Sequence, residues 1–432
     1  MASGRGNFSS GFAVIMALAG SAIGLGNLWR FPYMAGRHGG AAFIIIYIGC
    51  SLLISLPIFF SESIIGKSTG LGTFGALEKT APGMPWKAEG YIALLASFVV
   101  LSFYSVVGGW SVDYLVRSVA TGFGGLSYAQ ASGIFRQMSS SSWEQPVCLL
   151  VFLSFTSAVV AGGIDKGIGR FSKVMMPLLF AMIVVIVVRS VTLPGAREGI
   201  DYLVKPDFSK IDGPAVAAAL GQSFFSLSLG VGCVLTYSSY MREEQNLFAT
   251  GLWTALFDTL FALMAGFAIM PAVFSAGLEP TSGPSLVYET LPVIFSQMGP
   301  LVPVIFFFAI LIAAITSSIS MMEDCVAFMV DQKGWKRGRA TLLCFALALV
   351  LGCLCAFFPK IFNTCDFLTS NVFMMAGALV FSLVVGWKMP RSRVEAVFCR
   401  GRAATAAFPL VWFLIKWVAP VAIVLIAVTN LL

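Results

Sequence analysis

Charge is the scarcest commodity in this 432-residue chain: Asp, Glu, Lys and Arg together make up 11% of it, against 58% apolar residues. A water-soluble domain of this length needs roughly 25% charged residues, so the sequence excludes an ordinary soluble fold and points to a surface that faces lipid. Histidine is almost missing, with His38 alone, and none of the nine cysteines forms a CxxC pair. This removes His-rich and Cys-rich metal sites. No nucleophile–base constellation emerges either, so an enzyme is not expected. The net charge of +7 comes without a basic stripe interleaved with aromatics, so no nucleic-acid partner is expected. A cleavable leader pattern is lacking too: the first apolar run is too long for one, and it is expected to stay as the first span.

What the chain has instead is apolar length. A helix needs about 20 apolar residues to cross a bilayer core. Eleven runs qualify, at about 11–36, 41–66, 89–120, 146–162, 168–190, 214–240, 246–275, 300–331, 339–357, 364–387 and 407–430. Lipid offers no hydrogen-bond partner to bare backbone, so runs of this length must be helices. The expected class is an all-α integral membrane protein with the lipid bilayer as partner. Placing the N-terminus inside puts 17 of the 27 basic residues in cytoplasmic loops, the usual positive-inside bias. Eleven crossings then put the C-terminus outside.

Two runs contain glycine clusters near their middles: Gly20-Ser21-Ala22-Ile23-Gly24-Leu25-Gly26-Asn27 in the first, and Phe225-Ser226-Leu227-Ser228-Leu229-Gly230-Val231-Gly232 in the sixth. Glycine costs about 1 kcal/mol in a helix interior. One such cluster usually signals close helix packing. Two of them, flanked by hydroxyls and an amide and placed five runs apart, signal helices interrupted at matching points of two inverted halves. A broken helix exposes carbonyls at one side of the gap and N–H groups at the other, suited to a cation and an anion respectively. A zwitterion bound beside sodium matches that set of partial charges.

The run Gly20 to Pro32 (GSAIGLGNLWRFP), the run Gly221 to Tyr240 (GQSFFSLSLGVGCVLTYSSY), Thr316-Ser317-Ser318, Tyr104 and Asp366 together resemble the neurotransmitter:sodium symporter family, in its bacterial amino-acid transporter branch. The resemblance implies the leucine-transporter fold: a 5+5 inverted repeat (1–190 and 191–387), discontinuous spans 1 and 6, and an extra span at 388–432. It implies two sodium sites. The first would use the Ala22 carbonyl, Asn27, Ser226 and Asp258. The second would use the carbonyls of Gly20, Ile23 and Ala313 with the hydroxyls of Thr316 and Ser317. Taken by itself, a mid-span hydroxyl such as Thr316 often just bonds back to the preceding turn.

The substrate is expected against Ser21, Ala22, Leu25, Gly26, Val100, Tyr104, Phe225, Ser226, Ser228, Val231, Ser317 and Met321. Its carboxylate would meet Tyr104 and the N–H groups of Leu25 and Gly26. Val231 stands where the family's leucine transporter has phenylalanine, which predicts an enlarged, apolar pocket and a large neutral side chain. Charged pairs are expected at both ends of the pathway: Arg30 with Asp366 and Gln222 outside, Arg5 with Asp331, Tyr240 and Ser239 inside. Phe8 replaces the family's usual tryptophan, which predicts a looser inner latch. Asp258 departs from the asparagine of many members. It is expected both to ligate sodium and to supply the fixed negative charge that makes transport chloride-independent.

The resemblance further implies a bacterial inner-membrane location and a monomer or weak dimer. Three other readings compete with this one. A biogenic-amine or osmolyte symporter is the nearest, but amine carriers usually have aspartate at the position of Gly24. A sodium channel on the same fold would need rings of acidic residues or a repeated filter motif, and the sequence has neither. A sensor would need a soluble output domain, for which the residues after the last run leave no room.

Overall fold

The computed structural model describes residues 6–278 and 286–431. Among the described residues, nine helices are long and apolar enough to cross a membrane. They fall on nine of the eleven expected runs, because unbroken apolar length leaves the backbone no other way to satisfy itself in lipid. We label the membrane segments in chain order. The first run is a bent pair, α1 (Gly11–Ala22) and α2 (Gly26–Arg37), at 54° to one another. Next come α3 (Ala41–Thr69), α4 (Trp86–Ala120), α5 (Glu144–Ala161) and α6 (Ile164–Val191).

The sixth run is also two pieces, α7 (Gly213–Ser226) and α8 (Cys233–Ser238). Neither is long enough to cross alone, so among the described residues nine helices and the bent first pair, ten runs in all, have the length and apolar character to cross. The remaining helices are α9 (Leu247–Ser275), α10 (Leu301–Lys333), α11 (Arg337–Phe357), α12 (Pro359–Lys388) and α13 (Arg402–Val428). Short helices between them include Thr73–Thr80 and Arg391–Phe398.

Burial separates an inner set from an outer one. The apolar window of α10 is 78% buried and that of α4 72%, whereas α5, α6 and α11 reach 33% and α13 28%. The outer helices therefore present apolar side chains to lipid, and the inner ones spend their length on protein contacts. α10 packs on α4, α1 and α8, and α1 packs on α6 and α9. Both interrupted runs are thus held inside a ring of continuous helices, where the polar backbone of their gaps never meets lipid.

Candidate functional site

The gap in the first run spans Ile23–Leu25. Ile23 turns extended (φ −73°, ψ 102°), which ends α1. The Asn27 side chain recaps the chain on the far side, its Oδ1 accepting the Gly24 N–H at 3.1 Å. The last turn of α1 is left with unused carbonyls, and that of Ser21 accepts from two hydroxyls, Ser228 at 2.9 Å and Ser317 at 3.2 Å. Gly24 is bare of side chain for a steric reason: a Cβ there would lie 2.6 Å from Ser317 Oγ and 2.9 Å from Tyr104 Oη.

The gap in the sixth run is held the same way. Ser228 and Gly230 both have positive φ, 53° and 84°. Glu62 accepts the Gly230 N–H at 2.7 Å, and the Ser97 hydroxyl donates to the Val231 carbonyl at 2.7 Å. A Cβ on Gly230 would stand 1.9 Å from the Met374 carbonyl oxygen of α12, so only glycine allows this approach. Side chains from two neighbouring helices, α3 and α4, replace hydrogen bonds that the interruption gives up.

Between the gaps lies a tight group of oxygens. Asn27 Nδ2 donates to Asp258 Oδ1 at 2.7 Å and to Ser226 Oγ at 3.0 Å. The Ser226 hydroxyl lies 2.9 and 2.8 Å from the two Asp258 oxygens. Tyr47 closes the group, its hydroxyl 3.3 Å from Asp258 Oδ2. All four side chains are buried. Among the described residues no basic group pairs with Asp258. A buried carboxylate surrounded only by neutral oxygen and amide groups is the donor set of a hard monovalent or divalent cation. Ala22, the last residue of α1, lines the adjoining pocket. Tyr47 is absent from the sequence-based expectation, since a tyrosine in an apolar run reads as an anchor.

A second expected group is assembled more loosely. The position of a Cβ on Gly20 is 3.2 Å from Thr316 Cβ, so α1 and α10 touch there. The Thr316 hydroxyl bonds back to the carbonyls of Ala313 (3.0 Å) and Ile312 (3.1 Å), and Ser317 turns to Ser21. The Ile23 N–H returns to Ala19. The elements meet, but their hydroxyls are engaged within the protein.

A cavity of about 30 Å³ sits beside the first oxygen group, lined by Ala22, Leu25, Gly26, Val100, Tyr104, Phe225, Ser228, Val231, Ser317 and Met321, together with Gly24 and Met374. The Leu25 N–H donates to the Tyr104 hydroxyl at 3.1 Å. Ser21 and Ser226, expected against the substrate, do not line the cavity: Ser21 Oγ donates to Ser320 (2.8 Å) and Ser226 faces Asp258. In this conformation the cavity is far smaller than the several hundred Å³ of an ordinary small-molecule site. Met374, reached from α12, had no signal in the sequence.

Above this cavity opens a vestibule of about 410 Å³. Leu25, Gly26, Tyr104, Phe225 and Met374 line both spaces and form the floor between them. The Arg30 guanidinium sits 4.7 Å over the Phe225 ring. Arg30 and Asp366 both line the vestibule, yet no ion pair joins them among the described residues. Asp366 accepts instead from Ser370 at 3.3 Å. Gln222 Nε2 donates to the Gly26 carbonyl at 3.1 Å.

The opposite end is shut. Phe8 is fully buried, edge-on to Tyr237 and Tyr240 at 5.9 and 6.3 Å, and its N–H donates to the Tyr240 carbonyl. The Tyr240 hydroxyl donates to Glu323 Oε1 at 2.6 Å, and Arg337 forks onto both Glu323 oxygens. Of the expected inner pair, Arg5 lies outside the described residues, and Asp331 accepts the Gly72 N–H at 3.0 Å. Ser239 bonds to the Thr236 carbonyl. Asp324 joins α8 to the Thr73–Thr80 helix, accepting from Thr236 and, at 2.6 Å, from Thr73. Glu62, Glu323, Asp324 and Arg337 were missed, although acids inside an apolar run are a signal in their own right.

Comparison with known proteins places this geometry in context. Residues 5–132 and 126–432 match the Sodium:neurotransmitter symporter family. The chain is 39% identical to YhdH, a sodium-dependent transporter of Bacillus subtilis (strain 168), over 97% of this chain and 96% of that one. It is 34% identical to a sodium-dependent transporter of Haemophilus influenzae, over 99% and 98%. The crystal structure of MhsT in complex with L-phenylalanine superimposes with a TM-score of 0.90 at 35% identity, covering 99% of this chain and all of that one.

Proposed function

Because the chain belongs to the sodium:neurotransmitter symporter family, a family of sodium-coupled transporters and not of enzymes, we propose that its cargo is a neutral L-amino acid with a large apolar or aromatic side chain, moved without chloride. The observation that carries this reading is the Asn27–Ser226–Asp258 group next to the Leu25–Tyr104 cradle. A fixed negative charge in a buried oxygen cluster calls for a cation. The N–H ends of α2 and the Tyr104 hydroxyl call for a carboxylate. A zwitterion placed between them satisfies both and leaves its side chain toward Val100, Val231, Met321 and Phe225. The neighbour MhsT, solved with L-phenylalanine, supports an aromatic or comparable cargo. Gly24 argues against an amine carrier, because the space an aspartate would need is taken by Ser317 and Tyr104.

In this reading the first sodium binds Asn27, Ser226, Asp258 and the Ala22 carbonyl. The second binds Thr316, Ser317 and the carbonyls of Gly20, Ile23 and Ala313, once those hydroxyls turn from their internal partners. The ionised Asp258 takes the place of chloride. The open vestibule and sealed inner end correspond to the outward-facing half of an alternating-access cycle. Cargo entry requires Phe225 to swing from the cavity mouth, and Arg30 then meets Asp366. Release requires Phe8, Tyr240 and Glu323 to part. Residues 1–190 and 191–387 act as inverted halves with a further span from 388–432, making eleven crossings in a bacterial inner membrane, N-terminus inside and C-terminus outside, as a monomer or weak dimer.

A thermal-shift screen of the twenty amino acids on purified protein tests this directly. Large apolar or aromatic amino acids should raise the unfolding temperature in sodium and not in potassium. Stabilisation by charged or small polar amino acids alone, or equally in potassium, refutes the cargo assignment. Uptake by proteoliposomes should persist when gluconate replaces chloride; its loss would rule out Asp258 as the chloride substitute.

A further inference from the structure

Lys416 is a cation within the apolar helix α13. Its ammonium lies 4.7 Å from the ring centre of Trp387 and 5.7 Å from that of Trp417, and the two indoles meet edge-on at 4.7 Å. Both rings are about half exposed, at 51% and 50%. Among the described residues no acid pairs with Lys416. A lysine on an outer membrane helix is costly unless it meets an anion or reaches the interface.

Its depth is fixed by the neighbouring helix. Trp387 Nε1 donates to the Lys416 carbonyl at 3.1 Å, and the position of a Cβ on Gly386 is 3.0 Å from Lys416 Cα. Lys416 is therefore level with the last residues of α12, which ends at Lys388. Indoles settle at the headgroup layer, and a lysine stem can run along apolar surface to put its charge there.

The chain that follows is strongly basic. Lys388, Arg391, Arg393, Arg400 and Arg402 face one acid, Glu395, and all five are exposed. The helix Arg391–Phe398 buries Val394 and Phe398 and leaves its arginines outward. The Arg391 guanidinium lies 5.6 Å over Phe408 of α13, two turns before Lys416. Topology alone accounts for positive loop residues; it does not account for a lone ammonium between two exposed indoles inside a span.

We infer that the groove between α12 and α13, with the Lys388–Arg402 segment, binds the headgroup of an anionic phospholipid. The phosphate meets Lys416 and the loop cations, and the acyl chains lie along exposed Trp417, Val421 and Leu425, which follow Lys416 on α13. Clusters of basic residues beside a span attract anionic lipid at about fivefold in association per cation.

The test uses the full chain in vesicles containing brominated phosphatidylglycerol or brominated phosphatidylcholine, with tryptophan fluorescence as readout. The signal of the indole pair is the difference between the parent and a Trp387→Phe/Trp417→Phe variant. Brominated phosphatidylglycerol should quench that component with at least tenfold stronger association, and Lys416→Gln should lower the preference about fivefold. Equal quenching by the two lipids overturns the inference, as does a preference that survives Lys416→Gln. Quenching by neither lipid means that another copy covers the groove, and also overturns it. Inorganic phosphate that abolishes the preference identifies free phosphate, not lipid, as the ligand. Should Lys416→Gln fail to insert, Arg391→Gln/Arg393→Gln supplies the same comparison: a lowered preference supports the inference and an unchanged one refutes it.

Discussion

At the scale of single residues, the site depends on what Asp258 and Gly24 do to their immediate surroundings. Asp258 is held by Asn27, Ser226 and Tyr47, all neutral. Replacing it with asparagine keeps the shape and removes the charge. Asp258→Asn should weaken apparent sodium affinity at least tenfold, about 1.4 kcal/mol, and leave overall folding intact. Sodium titrations followed by thermal unfolding measure this; an unchanged midpoint would remove Asp258 from the ion site. Gly24→Ala places a methyl 2.6 Å from Ser317 Oγ. Such overpacking costs about 1–3 kcal/mol, and pushing Tyr104 away should abolish stabilisation by the amino acid found in the screen, which calorimetry on the variant would register. A variant that still binds with parental affinity would show that Tyr104 does not hold the cargo.

Among elements, the breaks matter more than the helices. The gap of the sixth run fits only because Gly230 takes φ +84° against the α12 backbone. Gly230→Ala adds strain and a collision that no side-chain motion can relieve, of order 3 kcal/mol or more. We expect a lowered unfolding temperature and loss of transport together; a normal melting curve would show that the α7–α8 gap can close up. Much of this level was legible in the sequence. Unbroken apolar runs dictate helices because lipid forbids alternatives, and the paired glycine clusters marked both interruptions. The sequence could not tell that the second half of the sixth run would shorten to Cys233–Ser238. That length is set by α3, α10 and the Thr73–Thr80 helix packed around it. Tyr47 escaped notice for a similar reason: it meets Asp258 across 211 residues of chain, and such a contact exists only in the folded bundle. Glu62, Glu323 and Asp324 were different, since their isolation in apolar runs was visible from the start.

For the whole molecule the question is how one end stays shut while the other is open. Phe8 fills the inner end against Tyr237 and Tyr240. Phe8→Ala leaves a void there, and removing a buried phenylalanine ring costs about 3–5 kcal/mol. The closed inner end should lose most of that and the opposite conformation should gain population. Cys233, fully buried at the start of α8, provides the probe. In a variant retaining this thiol alone, Phe8→Ala should speed maleimide labelling at least tenfold, and sodium should slow it in the parent. Labelling that ignores both would mean that the inner end is not a gate. The expectation of a looser latch at Phe8 rested on residue size, whereas the packing of the two tyrosines around it could be seen only in three dimensions.

That no basic group among the described residues pairs with Asp258 has an electrical consequence. With its carboxylate ionised, Asp258 contributes one negative charge to the ion site of the unloaded carrier. On the proposed stoichiometry, two cations and a zwitterion would reverse the sign of that site to plus one. A cell interior held negative then pulls the laden form inward and pushes the vacant form back, each by about 2.3 kcal/mol per 100 mV for a charge crossing the whole field. Voltage would thus speed both strokes of the pump, and neither would be electrically silent.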